Sequence, residues 1–171
     1  MALKKLDKKP EETRETELGL SECLLDRTGF LLKKSALRIQ EAYEERLGPL
    51  GLAAKHYGVL SVLEERGSIT QHEIGKCVYV DRTTMVGIID DLEKKGLVER
   101  KEHPTDRRSH AVYLTAKAKE VLAKAHHLAS SVEKQFLECL SVKEQKELRQ
   151  ILRKLVVAHY SSTKAGERGE G

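Results

Sequence analysis

The chain has 171 residues, a length that suits one compact domain or two small lobes and excludes a conventional multidomain enzyme. Hydrophobic residues make up 39% and charged residues 34%, with no Trp and 4% aromatic residues, a composition that favours charged amphipathic helices over a β sandwich. The net charge of +4 permits a nucleic-acid partner but does not locate a binding surface.

The sequence has no pattern typical of a membrane or exported protein. Its apolar runs are shorter than the roughly 18 residues of a membrane-spanning helix, and residues 1–17 are charged where a signal peptide is apolar. Three widely spaced cysteines, Cys23, Cys77 and Cys139, form no CxxC pair and fit free thiols in a reducing compartment. We therefore expect a cytoplasmic protein.

The first part of the chain predicts two helices. An apolar stripe from Ser21 to Leu47 is typical of one long helix of about seven turns, ended by Gly48 and Pro49. A second helix is predicted from about Ala53 to Glu65, with Gly67 as its stop.

Two short helices follow, each with a recognisable start. Thr70 and Glu73 form a capping box, and Asp81 is a good N-cap for the next helix. That next helix ends at Gly96 and carries an apolar stripe for the core, namely Met85, Ile88, Ile89 and Leu92. Two short helices joined by a tight turn indicate a helix-turn-helix.

A β hairpin comes next. Residues 97–102 and 111–115 alternate as strands around a polar loop, and a hairpin after a helix-turn-helix is a wing. Thr115 then caps a long helix, and Ser141 with Glu144 caps another. The predicted fold is mainly α with a two-stranded β wing, a winged helix-turn-helix flanked by long N- and C-terminal helices.

The second helix of the helix-turn-helix is the candidate DNA reader. At about 100° per residue, its outward face holds Thr83, Gly87, Asp90 and Lys94, opposite the core stripe. We expect the start of this helix to enter the major groove, where side chains contact phosphates or base edges and Val86 can touch a thymine methyl. The candidate DNA-binding residues of the two helices are Thr70, Gln71, Arg82, Thr83, Thr84, Val86, Gly87 and Lys94. The alternative is an ordinary helix of a bundle.

The loop of the hairpin carries two adjacent arginines, Arg107 and Arg108. Such a pair at a hairpin tip favours insertion into a narrow minor groove, and the alternative is solvated surface charge. Asp106 is either a turn former or an anchor that holds Arg108 in place.

With these elements in place, the chain resembles the MarR family of transcriptional regulators over roughly residues 20–160. The resemblance is carried by Arg46–Gly48, Asp81–Thr84, Leu92–Arg100, Asp106–Arg108 and Val112–Thr115. It implies a homodimer with intertwined terminal helices, most often a repressor, that reads a near-palindromic site in double-stranded DNA. It also implies release by a small aromatic or anionic ligand near Lys34, Arg38, His56 and Tyr57, although these could instead be solvated or core residues. Val86 and Gly87 stand where the family often has Thr and Arg.

The resulting organisation has five parts. They are a mobile N-terminal tail (1–20), an N-terminal dimerisation helix (21–52), the DNA-binding winged helix-turn-helix (53–115), C-terminal dimerisation helices (116–160) and a disordered tail (161–171). No phosphate loop, nucleophile elbow, paired carboxylate or metal-ligand spacing is found, so we expect neither an enzyme nor a cofactor or metal site. The alternative function is a winged-helix interaction module that binds an acidic protein partner.

Overall fold

A computed structural model describes residue 19, residues 21–102 and residues 110–166, with side chains as far as residue 159. The elements in chain order are α1 (Glu22–Leu25), α2 (Thr28–Leu47), a 3₁₀ turn (Gly48–Leu50), α3 (Ala54–Arg66), β1 (Ile69–Thr70), α4 (Gln71–Val78), α5 (Arg82–Lys94), β2 (Val98–Glu102), β3 (His110–Leu114), α6 (Ala116–Phe136) and α7 (Val142–Gly166). This arrangement confirms the predicted fold class, a winged helix-turn-helix between long terminal helices. None of the described helices is both long and apolar enough to span a bilayer.

One hydrophobic core unites the central module. Apolar side chains of α3, α4, α5, the sheet and the first half of α6 meet there, and the most deeply buried include Leu60, Ile74, Ile89, Val112 and Leu122. The stripe predicted for α5 is confirmed, because its four members are at most 3% exposed. Burial of these side chains fixes which face of α5 remains available for a partner.

The wing belongs to a three-stranded antiparallel sheet in the order β1-β3-β2. The hairpin of β2 and β3 was predicted, whereas β1, in which Ile69 pairs with Val112, was not. A strand of two residues is too short to show alternation, and Thr70 in it is also the cap of α4. The extra strand attaches the base of the wing to the helix-turn-helix.

The predicted single helix from Ser21 to Leu47 is wrong in its first part. The chain breaks between α1 and α2, where Arg27 takes an extended conformation (φ −100°, ψ 104°). Asp26, Thr28 and Gly29, which lie next to the break, are weak helix formers. The spacing of apolar residues does not reveal a break of only two residues.

The terminal helices differ in how they pack. α2 and α6 lie against each other, with the Tyr43 hydroxyl donating to Glu133 Oε1 at 3.1 Å. In contrast, residues 151–159 of α7 are all exposed. α7 continues to Gly166, past residue 161, where the sequence predicted the start of a disordered tail. The helix therefore projects from the rest of the described chain.

Candidate nucleic-acid interface

The turn between α4 and α5 is built by a few specific contacts. Tyr79 adopts a left-handed conformation (φ 53°), and the Val80 amide donates to the Gly75 carbonyl at 3.0 Å. Gly75 packs so closely under the turn that a Cβ there would lie 2.9 Å from the Val80 carbonyl oxygen. This contact sets how closely α5 can lie across α4.

Both helices begin at the caps that the sequence predicted. The Glu73 amide donates to Thr70 Oγ1 at 3.2 Å, while the Thr70 amide and hydroxyl donate to Glu73 Oε2 at 2.8 and 2.7 Å. At α5, the Thr84 amide and hydroxyl donate to the two Asp81 carboxylate oxygens at 3.0 and 2.6 Å. These bonds lower the pKa of Asp81, with the hydroxyl bond as the main cause. The hydroxyls of Thr70 and Thr84 are therefore engaged in capping.

The remaining candidates on α5, the recognition helix, lie in the open. Arg82, Thr83, Gly87 and Lys94 are exposed, and the apolar Val86 is 41% exposed on the same free side of the helix. A Cβ at Gly87 would meet nothing within 4 Å among the described residues. The structure thus brings these five residues onto the surface that the core leaves free.

Gln71 is not part of this open surface, because its side chain binds Arg100. The sequence did not indicate a role for Arg100. Gln71 Oε1 accepts from Arg100 Nε at 2.9 Å, and the same guanidinium pairs with Asp90 and Glu93 of α5. In the sequence, Arg100 stands only as the last residue of the Leu92–Arg100 segment that carries the family resemblance. We call the Arg100 guanidinium with its three acceptors, Gln71, Asp90 and Glu93, the fork. No local sequence pattern reveals it, because the acceptors lie up to 29 positions away in the chain.

The base of the wing is tied to α6 as well. Thr115 Oγ1 donates to the Gly96 carbonyl at 2.8 Å and accepts from the Ala118 amide at 3.1 Å, and Lys117 Nζ donates to the Lys95 carbonyl at 2.7 Å. The candidates Asp106, Arg107 and Arg108 fall in 103–109, outside the described residues. Their roles stay predictions from the sequence.

A family model described as MarR family matches residues 50–109, from the end of the 3₁₀ turn through β2 to the position before β3. The transcriptional regulator HosA of Escherichia coli O111:H- is 31% identical over 107 residues, which cover 63% of this chain and 79% of HosA. The chain belongs to the MarR family.

Two solved structures of MarR-like architecture carry bound molecules. The transcriptional repressor CouR bound to a 23-mer DNA duplex is 30% identical, with a TM-score of 0.75 over 80% of this chain and 98% of CouR. CouR from Rhodococcus jostii RHA1 bound to p-coumaroyl-CoA is 26% identical, with a TM-score of 0.72 over 79% of this chain and 95% of that chain. The present MarR-family protein is therefore a DNA-binding transcriptional regulator and not an enzyme, as the sequence indicated.

The four candidate ligand residues of this MarR protein lie in separate environments. Lys34 Nζ lies 5.7 Å from the centroid of the Phe30 ring, and Arg38 donates to Glu41 at 3.0 Å, so both contact their own helix, α2. The Tyr57 hydroxyl lies 2.9 Å from His126 Nδ1 on α6. These contacts do not join the candidates into one site.

His56 is a structural residue of the N-terminus of α3. It is 5% exposed, and its Nδ1 accepts from the Ala53 amide at 3.0 Å, which satisfies a free helical donor. Asp91 Oδ2 of α5 lies 3.0 Å from Nε2, but the two groups are too poorly aligned for a hydrogen bond. This burial follows from the position of His56 between α3 and α5, and its role near a ligand stays a prediction from the sequence.

We expect the buried His56 to make the protein less stable in mild acid. Burial lowers the pKa of His56 below its ordinary 6.5, against the attraction of Asp91. The unfolded chain therefore takes up this proton first, and the free energy of unfolding falls as the pH drops through about 6.5 toward the lower pKa of the folded state. Thermal melts between about pH 7.5 and 5 measure the effect.

The matched variants for this test are His56→Gln and His127→Gln. The first should flatten the fall in melting temperature, whereas the second, at an exposed position of α6, should leave it intact. An equally steep fall in His56→Gln would assign the acid sensitivity to other groups.

A polar cluster of Tyr43, Tyr57, Glu64 and His126 joins α2, α3 and α6. His126 Nε2 of α6 lies 2.7 Å from Glu64 Oε2 of α3, and the Tyr57 ring stacks on Tyr43 of α2 at a centroid distance of 6.4 Å. Burial is the main cause that raises the pKa of both tyrosines above its ordinary value. The cluster couples the helix-turn-helix module to the long helices.

Proposed function

We propose that the protein is a homodimeric repressor that reads a near-palindromic operator through α5 and the wing of each protomer. The observation that carries the proposal is the exposed side of α5. The opposite side of this helix packs against the core. The likeness to CouR on a DNA duplex supports the same mode of docking. In this mode the N-terminal part of α5 enters the major groove, as in other helix-turn-helix proteins.

Within this surface the residues have different tasks. Arg82 and Thr83 contact phosphates or base edges, Lys94 contributes charge near the backbone, and Val86 meets a thymine methyl. Gly87 has no side chain to read with, but it allows the duplex to approach the helix closely. We therefore expect specificity in few base pairs, with much of the affinity electrostatic.

The wing supplies the second contact. Arg108→Ala should weaken operator binding by roughly 1 to 3 kcal/mol, because the lost guanidinium no longer enters the minor groove. Asp106→Ala should weaken it less, since it only loosens the tip. Fluorescence anisotropy with labelled operator at moderate salt measures both, and the loss should be largest where A·T pairs lie under the wing. Equal affinity of wild type and Arg108→Ala would count against a wing that contacts DNA.

The dimer is proposed from apolar faces that lack a partner within the described protomer. α7 exposes Leu152, Leu155 and Val156 by 36–50%, and α2 exposes Leu31 and Leu37 by 42 and 44%. Exposed apolar side chains grouped along one helix, as on α7, mark an interaction site, and a second copy of the chain offers the same face by two-fold symmetry. The long helices at both ends of the chain would then form the interface.

Release by a small aromatic or anionic ligand completes the proposal. It is supported by the likeness to CouR, which was solved with p-coumaroyl-CoA. A ligand of this class near Lys34 and Arg38 would act through its higher affinity for the DNA-free state. A panel of phenolic acids should include compounds that raise the melting temperature and lower operator affinity. A panel that changes neither quantity would contradict ligand release by this class.

The alternative raised from the sequence, a winged helix that docks an acidic protein, predicts a different response to duplex DNA. The two functions are separated by titrating the dimer with duplex DNA at several salt concentrations. DNA binding should weaken steeply with salt, because each neutralised phosphate releases counterions. Selection of bound fragments from random duplexes should enrich one two-fold symmetric sequence, whereas a protein-docking module should enrich none.

A further inference from the structure

Arg100 joins three elements of the DNA-binding module with one side chain. Its Nε donates to Gln71 at the start of α4, and its two terminal nitrogens pair with Asp90 and Glu93 of α5. Its backbone amide also donates to Glu93 Oε1 at 3.3 Å. The residue itself lies on β2, so helix-turn-helix and wing meet at one guanidinium.

The position of Arg100 in the sheet connects this junction to all three strands. Arg100 pairs with Val112 of β3, and Val112 pairs in turn with Ile69 of β1. The fork therefore extends from the middle residue of β2, the edge strand beside β3. Its side chain is 22% exposed, which shields the contacts partly from water and salt.

The chemistry of the fork favours a geometric role. A guanidinium is planar and offers five N–H donors in fixed directions, so three acceptors around it hold their elements at set angles. Lysine carries the same charge as a single mobile point and cannot reproduce the fork. Partly exposed ion pairs contribute little to stability, so the fork should affect orientation more than folding.

Arg100 also neutralises an acidic group on the outward side of α5. Asp90 lies on the outward side of α5, two turns after Thr83, and its carboxylate would repel DNA phosphates if it were unpaired. Arg100 compensates for this carboxylate instead of contacting the duplex itself.

We propose that Arg100 is a positioning residue that fixes the wing relative to the recognition helix and thereby sets the specificity for operator over random DNA. The inference rests on the proposed function, because it presumes that α5 and the wing contact one duplex together. When the angle between α5 and the wing is fixed, both elements fit the same operator at once. When the angle varies, each element can still bind phosphates, but the side chains of α5 no longer align with their bases.

The test compares two duplexes with one charge-conserving substitution. Affinities of wild type and Arg100→Lys are measured for the selected operator and for a random duplex of equal length. Arg100→Lys should lose about tenfold in operator affinity, the loss expected for one misplaced base contact, with random-duplex affinity unchanged within about twofold. The matched control is Lys101→Arg, the reverse exchange at the neighbouring exposed position of β2, which should leave the ratio of the two affinities unchanged.

The ratio separates positioning from folding. Partial unfolding lowers the active fraction and weakens binding to both duplexes equally, so it leaves the ratio unchanged. An unchanged ratio in Arg100→Lys overturns the inference while wild-type operator binding still stands. If Arg100→Lys does not fold, Asp90→Asn, which removes one ionic arm of the fork, should lower the ratio severalfold, and an unchanged ratio there overturns the inference too. Wild type without preference for any duplex would instead refute the proposed function.

Discussion

Leu155→Glu is expected to convert the protein to a monomer and to weaken operator binding about a hundredfold or more. Leu155 lies in the middle of the exposed apolar face of α7, where it is 42% exposed in the protomer. In a symmetric dimer a glutamate there occurs in both copies, and burial of two unpaired carboxylates is strongly unfavourable. In a dimer, binding of one half-site brings the second protomer to a high effective concentration at the other half-site. Separate monomers lose this gain, so each binds its half-site weakly.

Gln150→Glu is the matched control for this substitution. It adds the same charge to the same helix but lies about 160° around the helix from Leu152, on the polar side. Sedimentation at micromolar concentration should show a monomer for Leu155→Glu and a dimer for wild type and Gln150→Glu. A Leu155→Glu dimer with wild-type operator affinity would contradict an interface built on α7.

Gly75→Ala is expected to destabilise the fold by roughly 1 to 3 kcal/mol, because the added methyl overpacks the turn between α4 and α5. The atom it meets at 2.9 Å is the backbone oxygen of Val80, which can move only if the turn moves. The melting temperature should therefore fall by roughly 2 to 10 °C, and operator affinity should fall with it as α5 is displaced.

Gly87→Ala is the control for this effect, since it makes the same exchange in a helix with open space around it. It should raise stability by about 1 kcal/mol, because alanine is the better helix former. It should nevertheless weaken operator binding, because the methyl lies between helix and duplex. Wild-type stability in Gly75→Ala would show that the turn tolerates the contact, and unchanged operator affinity in Gly87→Ala would show that close approach is not needed.

Features that depend on neighbouring residues could be predicted from the sequence. The caps at Thr70, Asp81, Thr115 and Ser141 are local hydrogen bonds between a side chain and an amide three residues on, and all four are present. The buried stripe of α5 follows in the same way from the helical period. Together these features predict the order of the helix-turn-helix and the hairpin.

Features that depend on distant residues or very short segments could not be predicted. The fork at Arg100 needs the folded sheet to bring β2 against α4 and α5, and β1 is too short to show a period. The sequence also placed His56 with Lys34 and Arg38 at a ligand site, although tertiary packing puts His56 under α5. Thr84 was a plausible DNA contact by position, and only the folded cap shows that its hydroxyl already binds Asp81.

The central claim, that α5 and the wing of a dimer read DNA, is tested most directly by footprinting the protein on a duplex enriched from random sequences. The claim predicts two protected half-sites related by two-fold symmetry, with centres roughly 34 Å or a multiple of that apart along B-DNA. Protection should weaken as salt rises, with a steep dependence. A pool without an enriched sequence, together with duplex affinity that does not change with salt, would contradict the claim.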